Sequence, residues 1–483
     1  MGAEGNPSDS ADSGVRYIAH HLSLFGLDPS HQSARAPGFT ILYRPGVADL
    51  EPVPAGSGLV VAILPSEELC RKAGVTRISC VSEGPVEMVC ERARGVQAHR
   101  LRTLHAFDTY DGEGIRESTV ATKDGRSAWC WVTLFARPTL FIGTDLAADL
   151  IRYRQGDPRR VVSDAKKAGW GFDFERPNYL FDEQLEGEPP GARHADWWMA
   201  ALADTLRARC AGAWGPILPG GAPGAIVLTG DDDQAYLERY DQQIDLLDGM
   251  PITYFLHPLT RHTRASMRSL KKRNRRVEFE LHPDSLDSPG DYAARLDEQV
   301  KWFRRLVGKP PRAVRNHGFL NDGYWGHLPH WLNQGISRSA NLPGLDGRIL
   351  NGSLLPARVM YSGAMTSHWS VLTAIGDGVR YAGGMSDADA AGLIRGIAEQ
   401  IRSSGVPGVL VLNLHPQNVV DTQGMHEAAR NLVAAGFHAW NLGECFDWFE
   451  NRGLPGGVSR DRLSGFSGWF RSALSFARGA RIQ

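Results

Sequence analysis

The chain has little cysteine, and what it has forms no pairing pattern. Its 6 cysteines among 483 residues stand far apart, with no Cys-x-x-Cys pair. That excludes a dense disulfide framework, and the thiols read as reduced and buried in a cytoplasmic protein. Charge of one sign is also lacking: 53 Lys and Arg face 54 Asp and Glu, a net charge of -1. Near-neutrality argues against a dedicated nucleic-acid binder. No apolar run approaches the length that spans a bilayer. The segment Met1–Ser13 is small, polar and acidic, without the charged start or apolar core of a signal peptide. The expectation is a cytoplasmic globular protein of two or three domains.

What the chain does have is three aspartates in a row. Asp231-Asp232-Asp233 end the apolar run Ala225-Ile226-Val227-Leu228-Thr229. Adjacent carboxylates at the rim of a sheet are costly unless a cation, an arginine or a proton neutralises them. Such a cluster suits a metal ligand beside a general base. One such Asp alone reads as a helix cap or turn.

Further strand-like segments also end in groups able to do chemistry. Val277-Glu278-Phe279-Glu280-Leu281-His282 alternates apolar and polar residues with period 2, the signature of a strand. Ala313-Val314-Arg315-Asn316-His317 is a shorter candidate, and Gly408–Leu414 is nearly all apolar and closed by His415. Helical stretches lie between them, at roughly 290–306, 324–334, 387–404 and 424–435. Strands alternating with helices imply a parallel sheet covered by helices. In a parallel barrel the carboxyl ends of the strands converge on one mouth. Taken singly, His282, Arg315 and His415 read as structural residues; their joint placement at strand ends is the functional signal.

These pieces resemble the polysaccharide deacetylases, a carbohydrate esterase family with a distorted (β/α) barrel. The likeness runs from about Gly224 to Asn451. The family's Thr-Phe-Asp-Asp-Gly is similar to Thr229-Gly230-Asp231-Asp232-Asp233, and its metal-binding histidine motif to Leu281-His282-Pro283. Its Arg-x-Pro segment is similar to Arg315-Asn316-His317, and its Leu-x-His strand end to Leu412-Asn413-Leu414-His415. Within the family, the likeness is to the WbmS-like group of bacterial surface-polysaccharide gene clusters. The resemblance implies Asp231 as base, held by a bidentate contact from Arg315, and His415 as the acid that protonates the departing amine. It implies a divalent metal, zinc by preference, on Asp232, His282 and a further ligand.

The family's second histidine falls on Leu286, and His317 fills the vacancy, with His257 as the weaker alternative. Asp233 stands where the family has glycine. On an extended backbone Asp231 and Asp233 share a face while Asp232 points away, so the alternative pair of base and ligand is Asp231 and Asp233, unless the chain turns sharply at Gly230. Asp233 and Trp325 are candidate substrate contacts, although Trp325, Trp331 and Trp369 also suit core positions. Asp377 in Ile375-Gly376-Asp377-Gly378 fits either an orienting aspartate or a turn.

The implied fold class is α/β, with the barrel preceded by an N-terminal α/β domain. The expected organisation is a disordered 1–14, a domain of unnamed function over 15–215, a Pro- and Gly-rich linker over 216–223, a barrel over 224–452 and an amphipathic tail over 453–483. Gly58–Leu64, Thr76–Ser82, Ala128–Phe135 and Thr139–Asp145 read as strands, and Tyr17–Leu24 and Leu146–Tyr153 as helices. Thr139–Asp145 and Leu146–Tyr153 together form a strand-turn-helix unit without a GxGxxG or P-loop. The segment Ile151–Asp157 is a candidate domain contact.

Arg261, Arg264, Arg268, Lys271, Lys272, Arg273, Arg275 and Arg276 read as a solvated helix face. In the tail, Phe466, Trp469, Phe470, Leu474 and Phe476 with Arg462, Arg471, Arg478 and Arg481 suit either peripheral membrane contact or docking on the body. The expected activity is removal of an N-acetyl or related acyl group from an amino-sugar or glycan, nucleotide- or lipid-linked, during surface-polysaccharide synthesis. The alternatives are a metal-independent hydrolase of another C–N amide and a non-catalytic glycan-binding or scaffolding protein.

Overall fold

The structure, a computed structural model, describes residues 7–27, 39–50, 58–81, 86–90, 99–162, 174–209, 214–233, 235–344 and 346–452. Two sheets frame it, one of nine strands and one of ten.

The N-terminal sheet begins with three parallel strands, Phe39–Tyr43, Leu59–Ile63 and Arg137–Ile142. It continues antiparallel through Ser127–Leu134, Glu117–Thr122, Val86–Cys90 and His99–Thr103. Thr76–Cys80 and Phe107–Asp111 pair beside it. The first helix spans Pro7–Leu24, so residues 7–13 are helical where disorder was expected. Proline suits a first helical position because its missing N–H has no intrahelical partner there. Tyr17, Ile18 and Leu22 of this helix are buried.

In the C-terminal half the strands follow chain order around a ring. Ala225–Asp232, Ile252–Leu256, Val277–Leu281, Ala313–Val314 and Arg338–Pro343 pair in parallel, each with the next. The sixth strand, Ala364–Thr373, pairs with the fifth, and after Ala374 the chain resumes as Ile375–Gly376 against the seventh, Val409–Asn413. The seventh pairs back to the first, and the ring closes. It is irregular: a hairpin strand, Ala357–Tyr361, runs antiparallel to the sixth, and His438–Trp440 pairs with the start of the first.

Helices Leu237–Leu247, Arg264–Arg273, Tyr292–Val307, Asp387–Ser403 and Gln423–Ala434 follow their strands. The first and seventh strands are buried along their whole length, which explains their unbroken apolar runs. All ring strands run the same way, so Asp231, His282, Arg315 and His415 reach one mouth.

The two halves share a hydrophobic core. One cluster holds Tyr17, Trp129 and Trp198 together with Val227, Ala340, Val411 and Phe446. The segment expected as a linker is packed: Leu218 is buried, and Trp448 Nε1 donates to Ile217 O at 3.0 Å. The expected contact at Ile151–Asp157 joins the halves: Arg154 Nη2 donates to Leu355 O at 2.7 Å and Gln155 Nε2 to Met360 O at 2.7 Å. The segment 453–483 lies outside the described residues. Among those described, no helix is long and apolar enough to cross a membrane.

Candidate active site

The first strand stays extended through Asp232, with Asp231 in register with Phe255 and Asp232 with Leu256. Alternation therefore sends Asp231 and Asp233 into the mouth and Asp232 away from it. Gly230 permits this path, because a Cβ there would lie 2.8 Å from Leu414 O. Asp231, Asp233, His282, His317, Asn413 and His415 line one cavity of about 320 Å³.

Asp231 is 3 % exposed and both its oxygens are bound. Arg315 Nη1 donates to Oδ1 at 2.8 Å and Asn413 Nδ2 to Oδ2 at 2.8 Å. The arginine contact is single, not the expected bidentate one. Its Nη2 is used by the Thr229 and Thr373 hydroxyls at 2.9 Å each, and its Nε by Ala340 O at 3.1 Å. Burial pushes the Asp231 carboxyl up, but the Arg315 guanidinium, then His282 and His415, outweigh it and hold the carboxyl below its ordinary value.

His282 Nδ1 lies 2.7 Å from Arg315 O. A carbonyl can only accept, so the proton sits on Nδ1 and the Nε2 lone pair is free. That Nε2 is 3.5 Å from Asp233 Oδ1. His317 repeats the arrangement: Nδ1 donates to Asp284 Oδ1 at 3.1 Å, and Nε2 is 3.7 Å from the same Asp233 Oδ1. Asp233 Oδ1 is buried and has no hydrogen-bond partner.

Asp233, His282 and His317 thus present three ligand atoms within 4.8 Å of one another. A tetrahedral zinc ion about 2.0–2.1 Å from each donor would set them roughly 3.3 Å apart. The spacing and the partnerless oxygen fit such an ion. Burial raises the Asp233 carboxyl, but protonated His282, His415 and His317 hold it far below the usual range; an ion would take the place of the Nε2 protons of His282 and His317.

Asp232 does not join this set. It is fully buried behind the strand, and neither carboxylate oxygen has a hydrogen-bond partner. Thr260 and Tyr240 stand near enough to lower its pKa without meeting hydrogen-bond geometry, and burial prevails, raising it. Trp325 is a second correction: it is 8 % exposed, donates to Gln155 O at 3.2 Å and lines no part of the cavity. The side chain is core, as are Trp331 and Trp369.

His257 is turned to another task. The Leu259 N–H donates to its Nδ1 at 3.1 Å, which leaves its proton on Nε2, 3.2 Å from Asp284 Oδ2. An ion at that nitrogen would require the ring to lose its proton. The second possible grouping, His257 with Asp284 and His317, is therefore the poorer metal site. Asp284 instead fixes the tautomer of His317, as carboxylates behind metal-binding histidines do.

On the opposite wall, His415 Nδ1 donates to Asp377 Oδ1 at 2.5 Å, and its backbone N–H to Asp377 Oδ2 at 2.8 Å. Asp377 is fully buried. Burial pushes the His415 imidazole down, but Asp377 first, then Asp233 and Asp231, drive it up to about 10. At neutral pH His415 is an imidazolium whose Nε2 is 3.7 Å from Asp231 and 3.5 Å from Asp233.

Sequence reasoning passed over Asp284 and Asn413 and left Asp377 between two roles. Asp284 follows His282 by two residues, and that spacing was the available signal; Asn413 had none beyond adjacency to the strand end.

No protein-family model and no curated protein matches the chain. Among solved structures it is similar to a Bordetella bronchiseptica protein, WbmS, described as a polysaccharide deacetylase involved in O-antigen biosynthesis. They are 18% identical over 49% of this chain and 94% of that one, with a TM-score of 0.30. The peptidoglycan deacetylase PdaC of Bacillus subtilis is 12% identical over 47% and 93%, with a TM-score of 0.32. The chitin deacetylase of the fungal pathogen Colletotrichum lindemuthianum is 16% identical over 48% and 91%, with a TM-score of 0.30.

Proposed function

We propose that the protein is a metal-dependent amide hydrolase that removes an N-acetyl or related acyl group from an amino-sugar unit in surface-polysaccharide synthesis. One observation carries the reading. Two imidazoles with fixed Nδ1–H donors aim their Nε2 lone pairs at one partnerless oxygen of Asp233, in a cavity that also holds a paired carboxylate base and an imidazolium acid. The order of the sequence motifs supports the choice of an N-acyl sugar.

Asp233, His282 and His317 would hold the ion. Zinc bound there supplies Lewis acidity, polarising the acyl carbonyl and acidifying water towards neutrality. Asp231, kept ionised by Arg315 and Asn413, takes the proton of the attacking water. Its two bound oxygens hold the carboxylate in place on the cavity wall. His415, protonated and aligned by Asp377, delivers a proton to the amine nitrogen as the C–N bond breaks; an amine leaves poorly without one. Asp284 keeps the His317 lone pair turned inward.

Acetate release from a panel of N-acetylated amino-sugars, with metal content measured in parallel, tests the reading. Zinc-dependent release abolished by Asp231→Asn is expected. A folded protein that takes up no zinc, or releases acetate equally well without it, would overturn it.

A further inference from the structure

Around the mouth, exposed apolar side chains are unevenly placed. Tyr236 is 58 % exposed, Leu259 64 %, Tyr381 58 % and Val420 51 %. They stand on the segments that follow the first strand, the second, the sixth with its continuation, and the seventh. In the ring these are consecutive neighbours, Ile252–Leu256, Ala225–Asp232, Val409–Asn413 and Ile375–Gly376. The four residues therefore form one arc on one side of the mouth. The other side is walled by the N-terminal half. Asn321 N donates to Glu175 O at 2.9 Å, a Cβ on Gly318 would lie 2.5 Å from Phe174 Cζ, and Arg176 lies 5.4 Å over the Phe319 ring. The cavity is closed on that side and bordered on the other by apolar surface. Exposed apolar side chains gathered on one side of a mouth suit an interaction site.

The part of the arc that follows the second strand is basic. Arg261 lies 4.0 Å over the Tyr236 ring and Arg380 lies 5.8 Å over Tyr381. From His257 to Arg276 the chain contains no acidic residue, and the helix Arg264–Arg273 begins at the mouth. At about 1.5 Å per residue, Arg268 lies roughly 6 Å beyond Arg264, within a Debye length of about 8–10 Å. Counting the first turns of the helices that follow, the carboxylates on the other segments are Asp233 in the cavity, the buried Asp377, the half-buried Asp387 and the exposed Glu238, Asp389 and Asp421, so the basic charge is concentrated after the second strand.

We infer that this arc docks on an anionic lipid bilayer. Tyrosines carrying arginines, flanked by Leu and Val, suit the headgroup boundary, where aromatic rings and apolar tips sink in and guanidinium groups meet phosphate. A protein seated there would cap the mouth, and a free sugar chain would have no use for Leu259 and Val420. A bilayer both covers the arc and presents what the cavity consumes. The substrate class follows, on the amide-hydrolase reading above: an acylamino sugar attached to a membrane lipid through a phosphate linkage, entering from the arc side.

The test is co-sedimentation of the full chain with vesicles of phosphatidylglycerol and phosphatidylethanolamine, against vesicles of phosphatidylcholine alone. Two variants accompany it, Leu259→Ser with Val420→Ser, and Arg261→Glu with Arg268→Glu; each is checked for an unchanged melting temperature. Binding to the anionic vesicles is expected, weakened roughly 25-fold or more by the charge variant, since each Arg contributes about fivefold near such a surface. The apolar variant should weaken binding to both kinds of vesicle. Wild type that stays in solution overturns the inference, and so does vesicle binding that both variants retain, which would place the contact elsewhere, as on residues 453–483. Hydrolysis of a water-soluble N-acetyl sugar by the same proteins reads the chemistry separately. Retained hydrolysis without vesicle binding sinks the docking surface alone, and vesicle binding without any hydrolysis sinks the catalytic reading alone.

Discussion

Replacing Asp232 and Asp233 by asparagine, one at a time, separates two adjacent carboxylates by what surrounds them. Asp233 Oδ1 faces two imidazole nitrogens at 3.5 and 3.7 Å, and asparagine removes the charge from that donor set. Losing a group that merely orients a ligand typically costs about 10–100-fold in metal affinity. Losing the anionic ligand itself should reach at least the upper end, about 2.8 kcal/mol. At Asp232 there is no hydrogen bond to break, since neither oxygen has a partner. Burial raises this carboxyl, so an uncharged isostere relieves a desolvated group. Its effect on metal affinity should stay below about threefold, with thermal stability unchanged or slightly higher.

The assay is zinc competition against a chromophoric chelator, paired with acetate release. Asp233→Asn should lose activity in step with zinc and regain part of it in excess zinc. Asp231→Asn should keep zinc and lose activity. The reasoning fails if Asp232→Asn strips the metal as strongly as Asp233→Asn, because the ligand would then be the one the family motif marks.

Three further outcomes follow from the same geometry. Arg315→Met leaves Asp231 buried without its cation, so the acidic limb of kcat/KM should move to higher pH and stability fall by about 3–5 kcal/mol; a limb that stays in place would show that Arg315 does not set the base. Asp377→Asn removes the leading influence that lifts His415 to about 10, so the alkaline limb should move down and kcat drop by roughly 10²–10⁴, and an unshifted limb would assign the proton donor elsewhere. Glu280 is buried beside Glu278 and accepts from the Arg312 and Ala313 N–H groups; burial first, then Glu278, raise its carboxyl from 4.5 to about 7. Its contribution is full below the unfolded value and is lost as pH rises through about 7, so wild type should lose up to about 3 kcal/mol relative to Glu280→Gln between pH 5 and 8. Chemical denaturation at both pH values checks this, and a constant difference between the proteins would contradict it.

The ring was legible where residues repeat a physical pattern. Runs such as Ala225–Leu228 and Val409–Leu412 are apolar because both their faces are covered, and the helices expected at 290–306 and 387–404 appear as Tyr292–Val307 and Asp387–Ser403. The cluster at the mouth was legible because a parallel ring brings every strand end to one place. Between Asp232 and Asp233, strand parity puts Asp233 in the mouth, while motif position marks Asp232. Asp284 and Asp377 act through partners 33 and 38 residues away, and beyond the closeness of Asp284 to His282 nothing local announces such pairings. In the N-terminal sheet, strands such as His99–Thr103, with Arg100 and Arg102, are too short and too charged to show a clean alternation. The packed state of 216–223 was hidden by its prolines and glycines, which read as a spacer whether or not Leu218 finds a core to enter.

The core that holds Tyr17 and Trp198 together with Val227 and Phe446 bears on how the chain comes apart. Two bodies joined by a tether can melt separately, and the loss of one leaves the other a working unit. Here the apolar layer crosses the boundary, so exposing either sheet strips cover from the other, and both should surrender order in one cooperative event. A shortened chain that began at the first ring strand would carry a face of uncovered hydrocarbon, the face that the N-terminal half keeps from water.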